Sequence, residues 1–362
     1  MWRLSIFNSD SLQLAGFRPK GLAVCLLLLA VVELGVARRT WIWTLYPKSP
    51  SGVFDVVEQK VLRPVRDPAI VIMGNSRVRD ALDPVELSRA VGQPPGSVLN
   101  ISLTNGRPFD MLMLYERNRE TFQRARLLII GIEDWWFHTG SRKPSERIRR
   151  FATLEQRWKW FEGATRLSLL AGWAWRTLDA KDQLSRFVKF KFVRRDWTVP
   201  IGIDGRVVWR KTEADFGPKE DVKCAQRATQ TYANFDFDAS KIELVEQLIQ
   251  RARRDNLTVI VIRPPLRDLF VDRRSALVPG IKRAFGDQMK AIDALDENVH
   301  VMIFEKCSDL GWPQHYLLDY GHVGRVAARQ LSRQVGQHIL ETAGRSHRTS
   351  SRAPESRPTP AG

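Results

Sequence analysis

Cysteine is scarce in this chain: three among 362 residues, at positions 25, 224 and 307, with no paired metal-ligand spacing among them. A zinc framework and a dense disulfide scaffold are therefore excluded. At most one bridge, Cys224 to Cys307, is open to the main part of the chain, and only in an oxidising compartment. Acidic residues are also short. Forty Asp and Glu stand against 57 Lys and Arg, a formal net charge of +17, which calls for an anionic neighbourhood of nucleic acid, phospholipid headgroups or an acidic polymer. Nucleic acid fits least, because an aromatic RNA-binding signature, zinc-finger spacing and a basic heptad helix are all missing. Internal repeats are lacking too. Gly74-Asn75-Ser76-Arg77 has no phosphate-loop lysine, and the acidic pair Glu133-Asp134 has no His or Cys companion, so neither a cofactor nor a metal is implied.

Long hydrophobic runs are limited to one. Gly21 to Ala37, "GLAVCLLLLAVVELGVA", is apolar apart from Glu33, with Arg18 and Lys20 before it and Arg38-Arg39 after it. Seventeen residues lie at the short limit of a spanning helix, which flanking basic side chains can extend. Trp41, Trp43 and Tyr46 supply interfacial aromatics. A cleaved signal peptide is the rival, but Arg38-Arg39 sit badly just beyond a cleavage site. The sequence therefore leads us to expect a cytoplasmic N-terminus over residues 1–20, a transmembrane anchor over 21–37 and the bulk of the chain outside the cytoplasm, on the inner membrane.

Five short aliphatic runs follow: Ala69 to Met73, Ser97 to Ile101, Leu127 to Ile132, Thr258 to Ile262 and His300 to Phe304. Their near-continuous apolar character is that of strands buried on both faces of a parallel sheet. Helical periodicity separates them, at Pro84 to Ala90, Phe109 to Arg119, Lys241 to Arg254 and Gly324 to Leu340. Such alternation predicts a doubly wound, mainly parallel α/β domain in three layers. It is expected in two parts, 47–137 and 237–343, around a Trp-rich basic insertion or lid at 138–236, with a disordered tail at 344–362. Within the insertion, "VPIGIDGRVVWRK" reads as a hairpin turning at Asp204-Gly205. Trp158, Trp160, Trp173 and Trp175 are expected in core or interfacial packing rather than in a ligand cage, and the many basic residues suit an anionic bilayer or the cover of a groove.

The chemistry centres on "AIVIMGNSRVRDALDP", where a buried strand stops and Ser76 follows at once. Ser76 is either a helix cap or a nucleophile at the carboxyl edge of the sheet, where open α/β folds place ligands. An alcohol nucleophile needs a base, usually His, oriented by a carboxylate. Asp319 and His322, three apart in "LLDYGHVGR" at the mouth of the last helix, have the required types; alone they also read as a cap and a solvated first-turn residue.

Taken in order, these motifs resemble the SGNH, or GDSL, hydrolases. "MGNSR" stands at that family's Gly-Asp-Ser block, making Ser76 the matching nucleophile, and "DYGH" at its last block, making Asp319 and His322 the acid and base. "VLNISLTNGRPFDML" resembles the second block, so that Gly106, or Asn105, would join the Ser76 N–H in an oxyanion hole. The third block departs: "IIGIEDWWF" puts Glu133 or Asp134 where the family has an amide-donating Asn, and an ionised carboxylate repels an oxyanion. Asn75 and Arg77 are the local candidates for a replacement donor. The resemblance implies an esterase or O-acyltransferase acting on a cell-envelope glycan beside a multi-pass membrane acyltransferase. Its rival is a weak or inactive relative that binds glycan or serves as a scaffold.

Overall fold

The strand Ile70–Met73 (β1) is four apolar residues buried on both faces, and it lies next to the middle of the molecule's sheet. The structure, a computed structural model, describes residues 19–39, 43, 49–64, 67–139, 144–181, 185, 204–205 and 218–350. Val98–Asn100 (β2), Leu127–Gly131 (β3), Thr258–Arg263 (β4) and Val299–Ile303 (β5) complete a five-stranded sheet in the order β2-β1-β3-β4-β5, parallel throughout. The α/β class and parallel sheet expected from the aliphatic runs are what the structure has. Strand bounds differ from the expected ones by a residue or two.

Side-chain alternation divides the core in two. Val71, Met73, Leu128, Ile130, Val259 and Val261 share one cluster, whereas Ile70, Ile72, Ile129, Ile260 and Ile262 share the other. Helices cover both faces. On the first lie Pro108–Arg117 and Glu243–Arg254, the latter burying Val245, Leu248, Ile249 and Ala252 at helical spacing. On the second lie Pro84–Ala90 and the long C-terminal helix Arg325–Ser350, which buries Ala327, Ala328, Leu331 and Val335. Each such aliphatic side chain contributes about 1.5–3 kcal/mol on burial, so the two faces fix which way every strand points.

In chain order the helices used below are α1 Pro19–Val32, α2 Ser76–Ala81, α3 Pro108–Arg117, α4 Leu154–Trp160, α5 Gly163–Ala174, α6 Pro218–Tyr232, α7 Asp268–Leu277 and α8 Arg325–Ser350. One expectation is corrected and two open readings are narrowed. Residues 21–37 do not form one spanning helix: α1 ends at Val32 and a π-helical segment, Glu33–Ala37, follows. No helix among the described residues is long and apolar enough to cross a membrane. Trp158, Trp173 and Trp175 are exposed rather than in the core, and only Trp160 is half-buried against the large cluster. Cys224 and Cys307 are free thiols in separate apolar clusters, not a disulfide.

Of the expected hairpin, the turn Asp204-Gly205 is described, and the Asp204 carbonyl accepts from the Asn100 N–H at 2.9 Å; its arms lie outside the described residues. So do residues 1–18, Trp41, Tyr46 and residues 351–362 of the expected disordered tail; residues 344–350, expected to belong to it, instead continue α8.

Candidate functional site

In the order β2-β1-β3-β4-β5 the crossovers change direction between β1 and β3, and the carboxyl ends of strands at such a switch point are where open α/β sheets form their ligand crevice. Ser76 stands at its edge. β1 ends at Met73, Gly74 and Asn75 make the bend, and Ser76 is the first residue of α2. The cap is Asn75, not Ser76: its side-chain oxygen accepts from the Arg77 N–H at 3.0 Å and the Val78 N–H at 3.3 Å. With capping done by its neighbour, the half-buried Ser76 hydroxyl is left for another partner.

That partner is His322. Ser76 Oγ and His322 Nε2 are 2.9 Å apart, and His322 Nδ1 lies 2.7 Å from Asp319 Oδ2, so serine, imidazole and carboxylate form one line across 246 residues of chain. The loop before α8 sets the imidazole. Asp319 Oδ1 accepts the backbone N–H groups of Gly321 and His322, each at 2.8 Å, which folds the loop back so that Oδ2 faces the ring. Burial works against the Asp319 charge, but the His322 hydrogen bond and the two backbone N–H groups outweigh it and hold this carboxyl below the ordinary carboxylate range. An ionised Asp319 fixes the proton on Nδ1 and leaves Nε2 free to accept from the serine.

The expected oxyanion donors divide. Gly106 is held against the Ser76 bend, because a Cβ there would lie 2.5 Å from the Gly74 carbonyl oxygen, yet its N–H is spent on the Leu103 carbonyl at 2.9 Å. Asn105, next to Gly106, is exposed and in the left-handed region at φ 53°. Among the described residues, the Ser76 N–H and the Asn105 groups remain as donors.

Glu133 and Asp134 do not point into the crevice. Glu133, wholly buried, accepts from Asn75 Nδ2 and from Arg77 Nη1, both at 2.8 Å. Burial pushes its carboxyl up, and the Arg77 guanidinium and Asn75 amide pull it back only in part. Arg77 is correspondingly turned inward, its guanidinium 5.1 Å from the Tyr320 ring centroid, so neither it nor the Asn75 side chain is available as a replacement donor. Asp134 turns the other way, accepting from the Tyr232 hydroxyl at 2.5 Å and pairing with Arg274 and with Arg263 at 3.4 Å. Burial opposes its charge, but the two guanidinium groups hold its carboxyl low. Glu305 pairs with both arginines from the far side.

Sequence reasoning missed this second layer: Tyr320, Tyr232, Arg263, Arg274 and Glu305. Tyr320 lies inside "DYGH", and Arg263 ends β4, so both stood beside noticed motifs. Their roles depend on strand register and on α6 and α7, which no local pattern encodes. Beside Asp319 and Tyr320 opens a pocket of about 310 Å³ that is also lined by Cys224, Arg227 and Arg267. No cluster of His, Cys, Asp and Glu among the described residues has a metal-binding arrangement.

These features define a Ser-His-Asp site at the switch point of a parallel α/β sheet. No protein-family model matches the chain, and no curated protein does. Among solved structures it is similar to an acetyl xylan esterase (Est2A) from the rumen bacterium Butyrivibrio proteoclasticus, at 9% identity and a TM-score of 0.31. The match covers 78% of this chain and 66% of that one, and a likeness so slight carries neither fold nor function. The site geometry stands on its own.

Proposed function

We propose that the protein is an SGNH-like serine esterase or O-acyltransferase that works through an acyl-enzyme on Ser76. The observation that carries this reading is the line Ser76 Oγ to His322 Nε2 at 2.9 Å and His322 Nδ1 to Asp319 at 2.7 Å. Ser76 Oγ attacks an ester carbonyl as its proton passes to His322 Nε2. The developing oxyanion faces the Ser76 N–H and Asn105. Collapse of the tetrahedral adduct breaks the ester bond, and Nε2 returns the proton to the departing alkoxide. Water, or a sugar hydroxyl, then gives its proton to Nε2 and attacks the acyl carbonyl; the Oγ–acyl bond breaks and Ser76 Oγ takes the proton back from Nε2. Water makes the protein an esterase; a sugar hydroxyl makes it a transferase.

The net charge of +17 supports an anionic cell-envelope glycan as the substrate class. The exposed leucines of α1 support attachment to the inner membrane with the α/β domain outside the cytoplasm, where a multi-pass acyltransferase would supply acyl groups. One observation favours a second reading, a weak or inactive glycan-binding scaffold. Glu133 or Asp134 stands where the SGNH hydrolases carry a donating Asn, and losing such a donor typically costs about 10²–10³ in rate.

The test is labelling by a fluorophosphonate and turnover of a chromogenic acetyl ester. Wild type is expected to label at Ser76, with both signals lost in Ser76→Ala and turnover down at least about 10³-fold in His322→Ala. A folded wild type that neither labels nor turns over sinks the enzyme reading in favour of the scaffold. Added glycan acceptors that divert acyl groups from water distinguish transferase from esterase.

A further inference from the structure

Helix α5 is apolar on both sides. Its inner side buries Leu169 and Gly172, while Leu167 (68% exposed) and Ala171, four apart, are exposed, and Trp175 (43%) stands exposed just past its end. Large apolar side chains left exposed on a surface helix call for something that covers them. The neighbouring α4 adds Leu154 and Trp158, four apart and both exposed, and Trp173 and Leu178 are exposed as well. Scattered apolar residues on a surface need no explanation, but this many large ones on two adjacent helices do.

Two further observations say what covers them. The first is continuity with α1, whose Leu26, Leu27, Leu28 and Leu29 are exposed and whose lower end is welded to the insertion. Glu33, the one charge in the apolar run, is buried there. It accepts from the backbone N–H groups of Arg176 and Thr177, each at 2.8 Å, and from the Thr177 hydroxyl at 2.7 Å. Arg38 pairs with Glu33 at 3.0 Å and donates to the Ala174 carbonyl at 2.9 Å. The apolar helix and the apolar side of α5 therefore meet at a fixed joint. The second is charge: the chain as a whole carries +17, and at the face itself the Arg166 guanidinium sits 4.7 Å over the Trp158 ring with Lys159 exposed beside it. Tryptophan beside a cation, with leucine beyond, is the arrangement of a bilayer's headgroup boundary.

We infer that the face formed by α4 and α5 lies on the surface of a bilayer containing anionic lipid, continuous with α1 and held to it by Glu33. It rests on the reading of residues 19–37 as membrane-associated, but not on the chemistry of Ser76. The face enters the headgroup zone by about 5–10 Å and does not cross the membrane.

The test uses the full chain with vesicles of phosphatidylcholine, alone or mixed with phosphatidylglycerol, whose acyl chains are brominated near the headgroup and quench tryptophan on contact. Wild-type emission is expected to be quenched more on the mixed vesicles. The quenched amplitude is expected to fall by half or more when Trp158, Trp173 and Trp175 are all changed to Phe. Leu167→Ser with Trp175→Ser is expected to weaken partitioning on the order of 10-fold or more, by removing two inserted apolar side chains. Quenching that survives the three Phe changes undiminished would mean that α1 alone touches lipid, and overturns the inference. So would failure to bind protein-free vesicles alongside capture by native membranes, which would assign the face to a membrane protein. Turnover of a soluble acetyl ester, read in the same samples, is expected to be unchanged by these substitutions; its absence from wild type would count against the Ser76 reading and leave this one standing.

Discussion

Glu133 takes hydrogen bonds from two residues of the Ser76 bend at once, and both partners are themselves buried. Asn75 caps α2 with its oxygen and gives its amide to Glu133, while Arg77 gives a guanidinium hydrogen to Glu133 and lays its plane against Tyr320, two residues from His322. The carboxylate thus ties the nucleophile's turn to the end of β3 and, through Arg77, to the histidine loop. This alters what an amide at position 133 would do. Glu133→Asn cannot neutralise Arg77, and stranding one member of a buried ion pair typically costs about 3–5 kcal/mol. The expected outcome is an unfolding free energy lower by that amount in denaturant titration and slower, not faster, ester turnover. An Asn variant as stable as wild type and more active would show that Glu133 only obstructs the site. The departure at position 133 was legible as a departure. Its partner was not, because Arg77 lies 56 residues away and the two meet only through the Met73-to-Ile130 pairing of β1 and β3.

The turn between β2 and α3 shows what an element can fix without touching substrate. Leu103 donates to the Gly74 carbonyl at 2.9 Å and accepts from Gly106 at 2.9 Å, so residues 103–106 close over the backbone from which Ser76 projects. Position 106 admits no side chain, since a Cβ would stand 2.5 Å from the Gly74 oxygen and 3.1 Å from the Leu103 oxygen. Both neighbours are backbone and cannot swing aside. Gly106→Ala is expected to cost about 1–3 kcal/mol by overpacking and to lower turnover through displacement of the Ser76 bend. Thermal unfolding and ester kinetics measured together check this. Unchanged values for both would mean that the turn moves freely, against the hydrogen bonds that define it. Elements of this kind were largely readable: aliphatic runs marked five strands, and the Asp-Pro start marked the helix Pro84–Ala90 to the residue. What stayed hidden was which donor each turn keeps. Gly106 reads as an oxyanion donor from its motif, and only the close of the turn shows its N–H already engaged.

At the scale of the whole molecule, the three cysteines report on three different environments. Cys25 is exposed on α1. Cys224 packs on α6 with Phe270 and Tyr232, and Cys307 packs below β5 with Trp312 and Leu317. Burial pushes the Cys224 thiol up to about 11 and the Cys307 thiol up to about 12, with the nearby Arg267 offsetting only part of it. The thiolate is the reacting form, so both buried thiols are inert near pH 8 on two counts, access and protonation. A thiol reagent at that pH is expected to titrate one group rapidly in the folded protein. Two more should appear in denaturant without any reductant. Their slow appearance in buffer alone would follow the opening of the two clusters, since neither can react without losing its cover. A total of one thiol in denaturant would mean that Cys224 and Cys307 are joined after all. That join would have to draw α6 and the loop after β5 out of separate apolar clusters, and with them the Arg267 and Asp319 side of the pocket beside His322.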